Sequence, residues 1–261
     1  MLWENLTAPD FAKAVKDTGV CIITMGVLER HGDHLPLGTD FLTGQAIATL
    51  AAEKEPAVVF PDFYFGQIYE ARCYPGTITL PPTLLVELLQ NVFNEIARNG
   101  FRKIIVFNAH GGNRYLLHFL AQADLSERKN YSLYLYQGLS EEERKQMLSL
   151  YETELSGHAG EGETSLSLAV HPHLVKMEEI PAEPVLPLGR TDHLQDAFAG
   201  IKWYSNYPLH YSGDAKPATV EKGQAMLEIQ VKSLARFIKK VKEDRVVPEL
   251  NKEFYDKVDK L

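Results

Sequence analysis

The sequence predicts an α/β sandwich, a mainly parallel sheet covered by helices on both faces. Two observations lead there. Short β-branched runs alternate with segments of helical periodicity, the pattern that builds parallel strands joined by crossover helices. The chain also has 261 residues, 45% of them hydrophobic and 24% charged, which is the size and balance of a globular protein with a full core.

The strands are expected at Val20-Cys21-Ile22-Ile23-Thr24, Ala57-Val58-Val59-Phe60, Lys103-Ile104-Ile105-Val106-Phe107 and Tyr131-Ser132-Leu133-Tyr134-Leu135-Tyr136. Apolar residues recur at helical spacing near 40–54, 83–98 and 113–125. Thr83 follows Pro81-Pro82 and precedes an apolar run, so it is placed as a helix N-cap, with Gly100 as the stop. A Gly-rich turn at 157–165 opens another helix that runs on through Leu166–Val170. From 171 to about 216 proline and glycine punctuate a long loop carrying Trp203, Tyr204, Tyr207, His210 and Tyr211. Loops of that length are lids or partner surfaces more often than idle excursions. A last amphipathic helix is expected from near Ala218 to about Val241. No repeat or linker interrupts the pattern, so one domain spanning residues 1–261 is expected.

Several function classes are disfavoured at once. With 27 Lys+Arg against 35 Asp+Glu the formal charge is −8, the opposite of a nucleic-acid footprint. Cys21 and Cys73 form no C-x-x-C pair and cannot build a disulfide framework, which points to a reducing cytoplasm. No stretch approaches a membrane span, and no G-x-G-x-x-G, P-loop, G-x-S-x-G or H-E-x-x-H motif occurs. A small-molecule site is the remaining expectation.

Open parallel sheets bind ligands beyond the carboxyl ends of their strands. The loop after the first strand holds Glu29, His31, His34 and Asp40; the loop after the third is Asn108-Ala109-His110-Gly111-Gly112-Asn113. Glu29 and His31 stand two apart, so an extended backbone sends them to one side. Asp40 reads either as a helix cap or as a ligand directed at the same edge, with Thr39 as the alternative cap. His110 ends an apolar strand before two glycines that leave its imidazole uncrowded. The third cluster, Gly157-His158-Ala159-Gly160-Glu161-Gly162-Glu163-Thr164-Ser165, places two carboxylates at a helix start. Helix electrostatics explain one of them but not His158. The candidate ligands are Glu29, His31, Asp40, His110 and one of Glu161 or Glu163, an N/O set suited to Zn, Mn, Fe or Co. Three carboxylates and two histidines exceed the needs of one tetrahedral ion, so two ions ~3.5–4 Å apart, bridged by Asp40 and by a nucleophilic hydroxide, are expected.

These loops closely resemble the motifs of the creatininase family, also called creatinine amidohydrolases. A fourth match, Gly213-Asp214-Ala215-Lys216-Pro217-Ala218-Thr219-Val220-Glu221-Lys222-Gly223, is similar to the segment that opens that family's last helix. The resemblance implies a three-layer α/β/α sandwich, a binuclear metal site, hydrolysis of a cyclic or linear amide C–N bond and a homohexamer. By motif, Glu29 and His110 would bind one ion, His31 and a glutamate the other, and Asp40 would bridge. Creatinine-hydrolysing members carry a glutamate where this chain has Gly112 and no carboxylate at the position of Glu161, so Glu161 is expected to supply the missing ligand. They also place a glutamate where this chain has Gly157 and line the pocket with tryptophans, whereas the tryptophans here are Trp3 and Trp203. Creatinine is therefore disfavoured as substrate. The family also holds hydrolases of formamide groups in flavin and deazaflavin precursor pathways and a peptidase of a modified peptide.

His158 is expected to pass a proton to the leaving nitrogen, with Glu163 as a second catalytic group. Arg72, Tyr74, His193 and the aromatics of 203–211, Tyr204 among them, are candidates for substrate contact, and Asn108, Asn113 and His34 for orienting the ligands. Two rivals remain at this point: a two-metal phosphoester hydrolase, and a non-catalytic metal-binding protein of the same fold.

Overall fold

The computed structural model describes residues 1–155 and 157–261. Strands β1 (Val20–Met25), β2 (Val58–Val59), β3 (Lys103–Asn108) and β4 (Ser132–Leu135) form one sheet in the order β2-β1-β3-β4. Each neighbouring pair is parallel. Because β2 lies on one side of β1 and β3 on the other, the connections reverse between β1 and β3, and a crevice opens at their carboxyl ends.

Side chains alternate along the strands and feed two cores. Cys21 and Ile23 of β1 with Ile104 and Val106 of β3 pack under α1 (Ala8–Thr18), α3 (Pro82–Arg98) and α4 (Arg114–Ala123). Val20 and Ile22 with Ile105 and Phe107 pack under α2 (Thr39–Lys54) and α8 (Val220–Glu243). The three-layer sandwich read from the sequence is the observed architecture. Between β4 and α8 come α5 (Glu141–Leu148), α6 (Glu161–Val170) and α7 (Lys202–Asn206), and α9 (Val246–Val258) follows. Among the described residues no helix is long and apolar enough to cross a membrane.

Local chemistry accounts for some of the boundaries. Thr7 caps α1, its side chain accepting from the Asp10 N–H, and Thr219 does the same for α8 through Lys222. Thr83 is not the cap of α3: the helix begins at Pro82, which needs no N–H partner in the first turn, and Thr83 lies inside it. Asp40 and Thr39 do not cap α2 either, since Thr39 donates to the Pro36 carbonyl and Gly38 takes the cap position.

The 171–216 segment folds back onto the sheet edge. Tyr211 and His210 are buried, and Tyr74 donates its hydroxyl to the Pro208 carbonyl, 2.5 Å away. The end of this loop thus closes against its own chain, while Trp203, Tyr204 and Tyr207 stay partly exposed.

Candidate active site

Four segments converge at the β1/β3 crevice. The loop after β1 brings Glu29 and His31, the start of α2 brings Asp40, the loop after β3 brings His110, and the turn into α6 brings His158 and Glu163. Glu29, His31, Asp40 and His110 are almost fully buried.

Hydrogen bonds fix which nitrogen of each ring faces inward. His31 donates Nδ1–H to the carbonyl of Glu29, 3.2 Å away, so Nε2 is the nitrogen that faces the cluster and holds either a proton shared with Asp40 or a cation. His110 points Nε2 at the carbonyl of Gln67, 3.0 Å away, leaving Nδ1 as the inward lone pair. Asp40 lies between them: Oδ1 is 3.1 Å from His31 Nε2, and Oδ2 is 2.9 Å from His110 Nδ1. Glu29 Oε1 is also 2.9 Å from His110 Nδ1, and Glu163 Oε2 is 3.8 Å from His31 Nε2. Glu29 Oε1 and Asp40 Oδ2 are buried without a hydrogen bond of acceptable geometry. Electron-pair donors thus face one another at two points, which only a proton or a cation can fill. Tying the outer ring nitrogen to a backbone carbonyl is also how metal-ligating histidines are held. The donor set fits a pair of divalent ions: Glu29, Asp40 and His110 around one, His31, Asp40 and Glu163 around the other.

The site's electrostatics follow from this crowding. Burial disfavours the charged imidazoles, but the carboxylates outweigh it, so His31 is raised to about 10 by Asp40, Glu29 and Glu163, and His110 goes well above its usual range. Burial also works against ionised Glu29, yet His110, His158 and His210 hold it well below the usual carboxylate range. Glu163 rises to about 7, from burial and then the charge of Asp40, with His31 opposing, although its side chain keeps 38% exposure toward the cavity mouth. His158 falls to about 3, through burial and the nearby His31.

His158 donates Nε2–H to the Arg30 carbonyl at 2.8 Å, which turns Nδ1 toward Glu163 Oε2, 4.0 Å away. Glu163 accepts the Ala159 N–H at 2.6 Å, offered by a residue with φ of +57°. Asn108, Asn113 and His34 each make hydrogen bonds around the cluster. Asn108 Oδ1 accepts from the His110 N–H and from Asn113, whose own oxygen accepts from the Gln67 N–H. His34 meets the Thr164 hydroxyl at 2.9 Å, which bonds to the Ala159 carbonyl; burial lowers His34 to about 4.

Several expectations are corrected. Glu161 points away from the cluster: its carboxylate accepts the N–H groups of Glu152 and Thr153 and pairs with Lys222 at 2.5 Å. The first turn of α6 sends residues 161 and 163 in different directions, and the inward one is Glu163. Of the substrate candidates Trp203 lines the cavity, and the others named lie elsewhere. Tyr74 buttresses the 208–210 turn, Tyr204 stacks under Arg190, and Arg72 and His193 are exposed outside the cavity. That cavity, about 340 Å³, is lined by Glu70, Gly112, Trp203 and His210 beside the cluster.

His210 is the residue that sequence reasoning passed over. The Trp203 indole donates to its Nδ1 at 3.3 Å, so Nε2 holds the proton and donates to Glu29 Oε2 at 2.5 Å. Glu29 is thereby oriented with Oε1 toward His110. The signal in the sequence was a lone imidazole in the aromatic loop, just before Tyr211-Ser212-Gly213-Asp214. The two departures at glycine are steric. A Cβ at Gly112 would lie 2.4 Å from His110 Nε2, and one at Gly157 would lie 2.3 Å from Ser212 Oγ.

Comparison with known proteins gives the same family. Residues 4–238 match the creatininase family, described as creatinine amidohydrolase. A creatinine amidohydrolase from Pseudomonas putida is 28% identical over 237 residues, covering 84% of this chain and 88% of that protein. A 3-dehydro-scyllo-inosose hydrolase from Thermotoga maritima is 26% identical over 260 residues, covering 92% and 83%. A mycofactocin precursor peptide peptidase from Mycolicibacterium smegmatis is 28% identical over 230 residues, covering 86% of each. A crystal structure of creatinine amidohydrolase superposes with a TM-score of 0.78 at 24% identity, covering 93% of this chain and 98% of that one. The chain belongs to the creatininase family and is a hydrolase of its amidohydrolase type.

Proposed function

We propose that this chain holds two divalent ions, zinc first with manganese or iron as alternatives, and hydrolyses the amide C–N bond of a small molecule other than creatinine. One observation carries the reading: the Asp40 carboxylate offers one oxygen to each of two imidazoles whose outer nitrogens are tied to backbone carbonyls. Solved creatininases of the same fold are described in Zn-Zn and Mn forms. Such ions, when bound, make a water acidic enough to attack at neutral pH and polarise a carbonyl.

The chain's own residues do the rest. Asp40 spans the two positions, Glu29 and His110 complete one, and His31 with Glu163 the other. His158 stays neutral and keeps Nδ1 free for a proton, which it takes up during attack and returns to the leaving nitrogen. Trp203 and His210 hold Glu29 and wall the cavity against water. With no side chain at 112 or 157, the pocket lacks both carboxylates expected for creatinine hydrolysis, and Trp203 is its one indole. A reducing cytoplasm suits its free cysteines, Cys21 and Cys73. A homo-oligomer, hexameric by family resemblance, suits the exposed Tyr115 and Phe198, whose rings pair 5.9 Å apart; light scattering tests this.

Elemental mass spectrometry on protein purified without added metal tests the centre. Close to two equivalents per chain are expected, with most lost in Asp40→Ala. A wild-type chain that neither carries nor takes up metal would overturn the reading.

A further inference from the structure

A second cleft, of about 570 Å³, adjoins the candidate active site and shares Asp40, Gly111 and Glu163 with it. It runs along the carboxyl edge of the sheet, from the end of β3 past the end of β4, between the α2/α6 layer and α4. Both volumes are in the range of small-ligand pockets. Leu117, Leu139 and Leu166 line the second cleft between its ends. Arg114, on the first turn of α4, and Arg144, on α5, stand on its walls. Among the described residues neither guanidinium has a hydrogen bond or ion pair, although the chain is acidic overall. The cleft is therefore carboxylate-rich where it meets the metal-ligand cluster and cationic where it passes α4 and α5.

We propose that this cleft is a specificity subsite for the non-reacting end of the substrate, and that Arg114 and Arg144 bind a carboxylate or phosphate carried there. The inference rests on the amidohydrolase reading above and adds the class of molecule to it. Strands in a sheet lie about 4.8 Å apart, so the end of β4 is about 7 Å from the crevice between β1 and β3 where the cluster sits. The substrate is accordingly an amide whose anion sits that far from the scissile bond, with an apolar stretch between. Guanidinium groups suit the task because their planar fork matches both anions, and bidentate pairing adds direction to the attraction. Without a hydrogen-bonding partner in the fold they are available to a ligand at no cost in broken ion pairs. A neutral or cationic tail would leave both unpaired.

The test uses the metal-loaded protein and three matched probes: acetanilide, 4-acetamidobenzoate and 4-acetamidophenyl phosphate. Affinity is read by calorimetry and hydrolysis by release of the aromatic amine. At least one anionic probe is expected to bind tenfold or more tightly than acetanilide. The double variant Arg114→Ala/Arg144→Ala should lose that preference, and Arg114→Lys/Arg144→Lys should restore part of it. The stronger of the two anionic probes names the anion. Equal binding of all three, no binding of any, or a preference that survives the double alanine variant overturns the subsite. If the anionic probe binds through these arginines and no amine is released from any amide tried, the subsite stands and the amidohydrolase reading falls. If acetanilide is cleaved with no anion preference, the reverse holds.

Discussion

Gly44→Ala is a one-methyl change that reaches the site through its mounting. Gly44 lies one helical turn after Asp40 on the same face of α2, where the helix crosses the end of β3. A Cβ there would lie 2.6 Å from the Ala109 Cβ and 3.0 Å from Thr24 Cγ2, and Ala109 directly precedes His110. Ordinary carbon contacts are about 3.5–4.0 Å, so α2 and the β3 loop must separate by about 1 Å. Helix propensity favours alanine by about 1 kcal/mol, while overpacking costs about 1–3 kcal/mol, so the net loss is between about 0 and 2 kcal/mol. The larger effect is geometric, because the same shift draws Asp40 away from His110. Misplacement by about 1 Å can cost on the order of 100-fold in rate. Thermal unfolding should therefore change little, while metal occupancy and turnover fall steeply. Full metal content with full turnover would refute the idea that the α2–β3 contact sets the spacing of the ligands.

The opposite pattern is expected at Glu161. Glu161→Gln removes one of the two carboxylates on Lys222, Glu152 remaining, and should cost about 1.5–3 kcal/mol in denaturant unfolding, with the folded fraction keeping its metal; loss of metal from a stably folded variant would restore Glu161 to the ligand set. Glu143 is held down at about 2, chiefly by Arg236 and then by the Ser140 cap. Since its native value lies below the unfolded one of about 4.3, its contribution is complete above about pH 4.3 and is lost as pH falls toward 2. Glu143→Gln should flatten that part of the acid-unfolding curve, and an unchanged curve would count against the pairing.

The sheet and most of the cluster were legible because their signals are local. β1 and β3 are apolar runs, and each is followed within a few residues by its ligands. The α1 start was written in Thr7-Ala8-Pro9-Asp10, a cap with proline near the first turn, but its short amphipathic pattern stands beside charged residues and was not singled out. The α9 helix is hard to separate from α8 in the sequence because only Asp244 and Arg245 lie between them. The choice between Glu161 and Glu163 could not be read at all. Spacing puts both in one turn, and what decides is the loop at 152–153 and Lys222, which claim Glu161 from outside. His210 was hidden for the same reason: its partner Glu29 is 181 positions away.

That separation has a consequence for synthesis of the chain. Translation delivers the N-terminal side chains first. Glu29, His31 and Asp40 come out within twelve positions of one another, His110 follows after seventy more, and Glu163 after a further fifty-three. A nascent chain can thus offer an early, incomplete chelate that is open to whichever cation is at hand. The hydrogen bond that orients Glu29 waits for residue 210, a hundred positions after His110. On the two-ion reading proposed above, final selection among ions would belong to the folded chain, after the turn carrying Trp203 and His210 has closed over the crevice.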